Sequence, residues 1–157
     1  MGTNIYLVKE IKDKDIKEIK DGVDKALSKV HTSRDISELK WDIQELLDGL
    51  KEEIHICKRS VGWQLLFAAN RELYPCTWKG VTEYIRHVTE SGEYKLIDEY
   101  GDPYSLKELK EDLDAFKDGH TGISWDEYCR KNGEISHYTA NFEFISDGLR
   151  WTDREFC

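Results

Sequence analysis

Apolar residues recur along the chain with two periods, and each change of period marks an element. Ile5 and Leu7 alternate with Tyr6 and Val8, which predicts a short strand over Asn4–Val8. The period then lengthens. Ile16, Ile19, Val23, Leu27 and Val30 lie three and four apart, so Asp13–Val30 is predicted as a helix with one apolar stripe. Gly22 falls inside it at a cost of roughly 1 kcal/mol relative to Ala. After the polar break His31–Arg34, the residues Ile36, Leu39, Ile43, Leu46, Leu47 and Leu50 predict a second helix over about Asp35–Lys51, with Ser33 or Asp35 as its cap. So short a connection predicts an antiparallel helical hairpin, inserted at about residues 11–52. Two readings of it stay open: packed on the sheet, or projecting as an arm that binds a partner.

The centre of the pattern is Ile54–Ala69. Ile54 and Ile56 alternate with His55 and Cys57 as one strand, and Trp63, Leu65 and Phe67 share a face of a second. Between them the sequence predicts a basic polar loop, Lys58-Arg59-Ser60, followed by a bend at Val61-Gly62. Thr77 then caps a helix over Trp78–Glu90 with the stripe Trp78, Val81, Ile85 and Val88. Tyr94–Ile97 is a strand, and Asp98–Pro103 a turn. Ser105 and Glu108 form a capping box ahead of Leu106, Leu109, Leu113 and Phe116, in a helix that stops near Lys117. Ser124 and Glu127 form a second box, for a short helix ending before Gly133. Ile135–Ile145 reads as strand, Asp147-Gly148 as a turn, and Trp151 sits in a tail that adds an edge strand. No internal repeat and no interdomain linker are read from the pattern. The expected fold is one α+β domain over residues 1–157: a small, mainly antiparallel sheet, packed helices and the helical hairpin insertion.

Composition narrows the class. Five Trp, eight Tyr and five Phe in 157 residues can fill a core even though 35% of the chain is charged. No apolar run reaches membrane-spanning length, and no secretory signal is read at the start. Cys57, Cys76, Cys129 and Cys157 contain no CxxC pair, so they are expected to be thiols and not a zinc site. The net charge of −9 is uneven. Residues 54–90 hold 5 basic and 3 acidic groups, while 91–157 hold 8 and 16. An acidic second half opposes direct nucleic-acid binding through phosphates and suits attraction to a basic protein surface. The acids Glu108, Glu111, Asp112 and Asp114, on and beside the outer side of the capped helix, are the candidate protein-interaction face.

Chemistry has fewer candidates. Lys58, Arg59 and Ser60 offer two cations and a hydroxyl for an anion, and Trp63 a ring on which a base can stack. A solvated hairpin turn is the plain alternative. His55 and Cys57 share a strand face, as packing residues or as a nucleophile pair. Asp98, Glu99 and Asp102 supply oxygen ligands without the EF-hand pattern. His31, His87, His120 and His137 are scattered without metal-site spacing. The aromatics Trp78, Tyr84, Trp125, Tyr128 and Trp151 are assigned to the core. No catalytic residue, metal site or cofactor is expected.

The opening Met1-Gly2-Thr3-Asn4-Ile5-Tyr6, with the later run Ile54–Trp63, resembles a family of small uncharacterised tailed-phage proteins that begin MGTNYY and contain HIGKSSGGW. The stretch Glu93–Leu106 and the ending Arg154-Glu155-Phe156-Cys157 resemble the same family, so that about half the chain is covered. Cys57 stands where those proteins have Gly, and the helical hairpin replaces their cysteine-rich insert, so no zinc site is carried over. The resemblance implies a phage or prophage origin. The first expectation is therefore a non-enzymatic counter-defence protein of the anti-CRISPR type, in the host cytoplasm, with a host defence protein as its partner and no membrane. The alternatives are a nucleotide-binding module or sponge for a signalling nucleotide at Lys58-Arg59-Ser60, and a metal-dependent hydrolase at Asp98–Asp102.

Overall fold

A computed structural model describes residues 2–121 and 143–154. In chain order the elements are β1 (Gly2–Lys9), α1 (Asp13–Ser28), α2 (Asp35–Asp48), β2 (Glu53–Ser60), β3 (Leu66–Ala68), α3 (Trp78–Glu90), β4 (Tyr94–Asp98), α4 (Leu106–Ala115), β5 (Glu143–Ser146) and β6 (Leu149–Thr152). The class is α+β. Among the described residues, four helices accompany a six-stranded, mostly antiparallel sheet with the order β4-β1-β2-β3-β6-β5.

The chain divides into two compact units, Val8–Glu53 and the described parts of Met1–Leu7 with Ile54–Cys157. The larger unit holds the core. Ile5, Ile56, Cys57, Phe67 and Trp151 from the strands meet Val81, Ile85 and Val88 of α3 and Leu109 of α4. Trp78 and Tyr84 pack against it, as the stripe and the core assignment predict. The two caps of this unit that fall on described residues form as read. The Thr77 hydroxyl accepts from the Gly80 amide, and Ser105 and Glu108 close a reciprocal box. The smaller unit consists of α1 and α2, which pack on each other, and the Lys9 amide donates to the Glu52 carbonyl at its base.

Two expectations are corrected here. First, Lys58, Arg59 and Ser60 are not a loop: β2 runs through them, and the turn begins at Val61. Lys58 lies opposite Leu66 and Cys57 opposite Phe67 in an antiparallel pairing. Trp63 lies outside β3, held by a bridge to His120. Second, the tail does not add an edge strand. β6 is internal, parallel to β3 (Phe67 opposite Trp151) and antiparallel to β5, and all four of its residues are buried. Asp147 and Gly148, with φ of 54° and 70°, make the two-residue turn whose backbone matches strand twist. The carboxylate of Asp147 also accepts from the Trp78 amide at the start of α3. The Ser124–Glu127 box, Trp125, Tyr128, Cys129, His137, Cys157 and most of the Ile135–Ile145 strand lie outside the described residues.

Candidate functional site

The two sets of residues singled out for binding are brought together at one point. Arg59, at the end of β2, donates to Asp112 of α4 at 2.8 Å and to the Thr3 hydroxyl at 3.4 Å. The hydroxyl of Tyr104 donates to the same Asp112 oxygen at 2.5 Å. Asp112 is thus not on an exposed face: its side chain is 19% exposed, against 36% for Arg59. Burial, followed by the bond to Asp112, raises the Tyr104 hydroxyl well above its ordinary range and keeps it a donor. The group ties strand to helix. A half-buried charge with an ionic partner costs more to remove than a surface one, so Arg59→Ala is expected to cost about 1–3 kcal/mol. Urea denaturation of the variant checks this.

Around it, α4 carries acids that are already matched. Glu108 is spent in the capping box. Glu111 pairs with Lys107 at 3.7 Å and Asp114 with Lys110 at 2.9 Å, each four residues away. The outer side of α4 is therefore a ladder of both signs.

Trp63 also has neighbours from distant parts of the chain. The Arg150 guanidinium lies 5.0 Å over its ring, and the His120 ring meets its edge at 5.8 Å. Arg150 donates twice to Glu143, at 2.7 Å each, and once to the Gln64 carbonyl. Beside this group Gln64, Leu65, Leu113, Phe116, Leu149 and Arg150 help line a cleft of about 190 Å³. The Trp63 amide donates to the Ser60 carbonyl at 3.1 Å, so the turn keeps Trp63 beside the end of β2.

His55 and Cys57 do not form a reactive pair. Cys57 is fully buried in the core, and burial drives its thiol far above the ordinary range, away from the nucleophilic thiolate. His55 stacks on Tyr6 at 4.6 Å. Burial first, then the charge of Lys58, lowers its pKa from 6.5 to about 4. Protons therefore bind the unfolded chain first as pH falls. The contribution of His55 is complete above pH 6.5 and is lost between there and about pH 4. With a partly buried ring the loss is expected to be about 1–2 kcal/mol. A His55→Gln variant should lack that part of the acid sensitivity, and an NMR titration of the ring should show a midpoint near 4 in the parent.

The Asp98 turn is self-contained. One Asp98 oxygen accepts from the amides of Tyr100 and Asp102, and Glu99 accepts from the Asn4 side chain. Among the described residues no group of three or more His, Cys, Asp or Glu is placed to hold a metal ion, and no helix is long and apolar enough to cross a membrane.

The feature that sequence reasoning missed lies in the two-helix unit. Its helices carry one pattern of exposure twice, at an offset of 20: Ile16 matches Ile36, Ile19 Leu39, Val23 Ile43, Leu27 Leu47 and Val30 Leu50. One bond at the helix starts matches too, although the expected cap of α2 at Ser33 or Asp35 does not form: its N-cap is Arg34, and Asp35 bonds amides ahead of the helix. Asp15 accepts from the Lys12 amide, and Asp35 from that of Thr32. The seam between the helices explains Gly22, because a Cβ there would come within 2.9 Å of Leu46. Only Ala26 is fully buried in this unit. Ile16 (47%), Leu27 (49%), Ile36 (49%) and Leu47 (44%) remain half exposed, and Trp41 is 77% exposed. The repeat was hidden because its identities, such as Ile16 with Ile36 and Leu27 with Leu47, are interspersed with pairs that agree only in class.

Comparison with protein-family models, with curated proteins and with solved structures finds no match for this chain.

Proposed function

We propose that this is a non-enzymatic binding protein that attaches to another protein through the apolar side of its two-helix unit. The observation that carries the reading is the set of half-exposed residues Ile16, Leu27, Ile36 and Leu47 on α1 and α2. Apolar side chains left half exposed on one side of a helix pair support a partner site there. The target we propose is a host defence effector in the bacterial cytoplasm, which makes the protein a counter-defence inhibitor of the anti-CRISPR type. The resemblance of Met1–Tyr6 and Ile54–Trp63 to tailed-phage proteins supports that class of target. A net charge of −9 supports attraction to a basic surface. The acids of α4 serve as an auxiliary contact in this reading. Glu111 and Asp114 can leave their lysines cheaply, since such surface pairs are worth about 0.3–0.5 kcal/mol. Glu108 and Asp112 hold the fold, so reversing all four charges would mix a binding effect with unfolding. The nucleotide reading at Lys58, Arg59, Ser60 and Trp63 has less support, because Arg59 is engaged by Asp112 and Trp63 by Arg150.

The test is the double variant Leu27→Asp, Leu47→Asp. Two charges placed on the apolar side are expected to abolish protection of an invading phage or plasmid in cells that express the protein, with the far-UV circular dichroism unchanged. Full protection by the folded variant would overturn the reading.

A further inference from the structure

An arginine side chain carries five N–H donors. In Arg150 the described residues take three: Nε and Nη2 donate to the two Glu143 oxygens, and Nη1 donates to the Gln64 carbonyl. One N–H on Nη1 and one on Nη2 are left without an acceptor among the described residues. The side chain is only 7% exposed, so these donors do not reach bulk water. An unmet donor at that depth is costly, and an acceptor brought by a ligand is favoured there. Glu143 closes one side of the guanidinium, and Trp63 lies over one face of it. The cleft of about 190 Å³ lies next to what remains, since Arg150 and Gln64, the residues joined by the Nη1 bond, both line it.

Much of the cleft wall is apolar, through Leu65, Leu113, Phe116 and Leu149. Its volume compares with the roughly 150 Å³ of an apolar cavity that holds benzene, so one ring or a short branched chain fits. Two carboxylates stand close by, and each has its own cation: Glu143 has Arg150, and Asp114, on the cleft wall, has Lys110. Lys117 also lines the cleft, is exposed and has no ion pair among the described residues. Asp118, the next residue in the chain, is not among the lining residues. The carbonyls that follow α4 are satisfied, that of Phe116 by the Gly119 amide and that of Lys117 by the Gln64 side chain. One unmatched cation suits a single negative charge better than the charge of nearly two on a phosphate monoester. We propose that the cleft binds a small monocarboxylic acid. Its carboxylate accepts from the two spare N–H groups of Arg150, and its ring or branched chain lies on Leu113, Phe116 and Leu149. The site belongs to the larger unit and does not depend on the role given above to the two helices.

Methyl NMR of the full chain, titrated with benzoate, tests this. Benzoate is expected to bind saturably and to shift the methyl signals of Leu65, Leu113 and Leu149, while those of Leu27 and Leu47 stay in place. Benzylamine, the same ring with the opposite charge, should bind at least about tenfold more weakly, and so should inorganic phosphate. Two substitutions at exposed positions of the cleft wall set the sign of the charge. Lys117→Gln should weaken benzoate binding about threefold, and Asp114→Asn should strengthen it by about the same factor, with both effects fading as salt rises. Neither position holds the fold, so the remaining spectrum should be unchanged. The absence of a saturable benzoate shift, shifts that miss the three cleft leucines, or equal binding of benzylamine or phosphate would overturn the inference. A benzoate affinity that either substitution leaves unmoved would overturn it as well.

Discussion

Replacing Glu143 with Ala is expected to destabilise the protein by about 3–5 kcal/mol, because it strands a buried guanidinium. The side chains of Arg150 and Glu143 are only 7% and 4% exposed, and they meet through two bonds of 2.7 Å. The third contact of Arg150, to the Gln64 carbonyl at 3.1 Å, and its position over Trp63 hold the guanidinium in place. It cannot swing out to water without giving up both. Across the β5–β6 hairpin Glu143 lies opposite Thr152 and Arg150 opposite Ile145, so the ion pair runs diagonally between the strands and also sets how that hairpin meets Gln64. The midpoint in urea should fall with little change in slope, as for a loss of stability without a change in the surface exposed. Replacing both residues with apolar ones of similar volume should recover much of the loss, since a buried pair contributes little against well-packed hydrocarbon. A Glu143→Ala variant with unchanged stability would show that the pair is solvated.

Trp151→Ala should cost a similar amount, about 3–5 kcal/mol, for a different reason. The indole is fully buried, 5.2 Å from the ring of Phe67 and 6.5 Å from that of Tyr74, and its N–H donates to the Ser146 carbonyl. Truncation removes the transfer energy of the ring and leaves a cavity in the layer that joins β3 to β6. Trp151→Phe keeps most of the volume and should lose less. The comparison separates a core strand from an edge strand: on an exposed edge both variants would lie within about 1 kcal/mol of the parent.

The contrast between these residues and the helices shows which parts of the fold were legible. The stripes of α1, α2, α3 and α4 follow from local spacing, and the Thr77 and Ser105–Glu108 caps from bonds that span three residues. The position of β6 depends on pairing with β3, more than eighty residues earlier, and no local pattern encodes that partner. Lys58, Arg59 and Ser60 look like a loop because they are polar. They extend β2 because Arg59 finds Asp112 and Thr3, again far away in the chain. Arg59 and Asp112 were each visible as candidates, but their mutual neutralisation was not, since charge counts carry no distances. The exposed side of the two-helix unit was legible in principle. The offset of 20 is present in the sequence, but residues such as Ala26 and Leu46 match only in kind.

The most direct test of the central claim is methyl NMR of the full chain with a soluble paramagnetic agent, alone and in complex with a host protein that it retains from a bacterial lysate. In the free protein the methyl groups of Ile16, Leu27, Ile36 and Leu47 should broaden strongly, while those of Ile5, Ile56 and Leu109 stay sharp. On binding, the first group should become protected and the second should not change. Protection of those four residues in the free chain, or their continued broadening in the complex, would contradict the account.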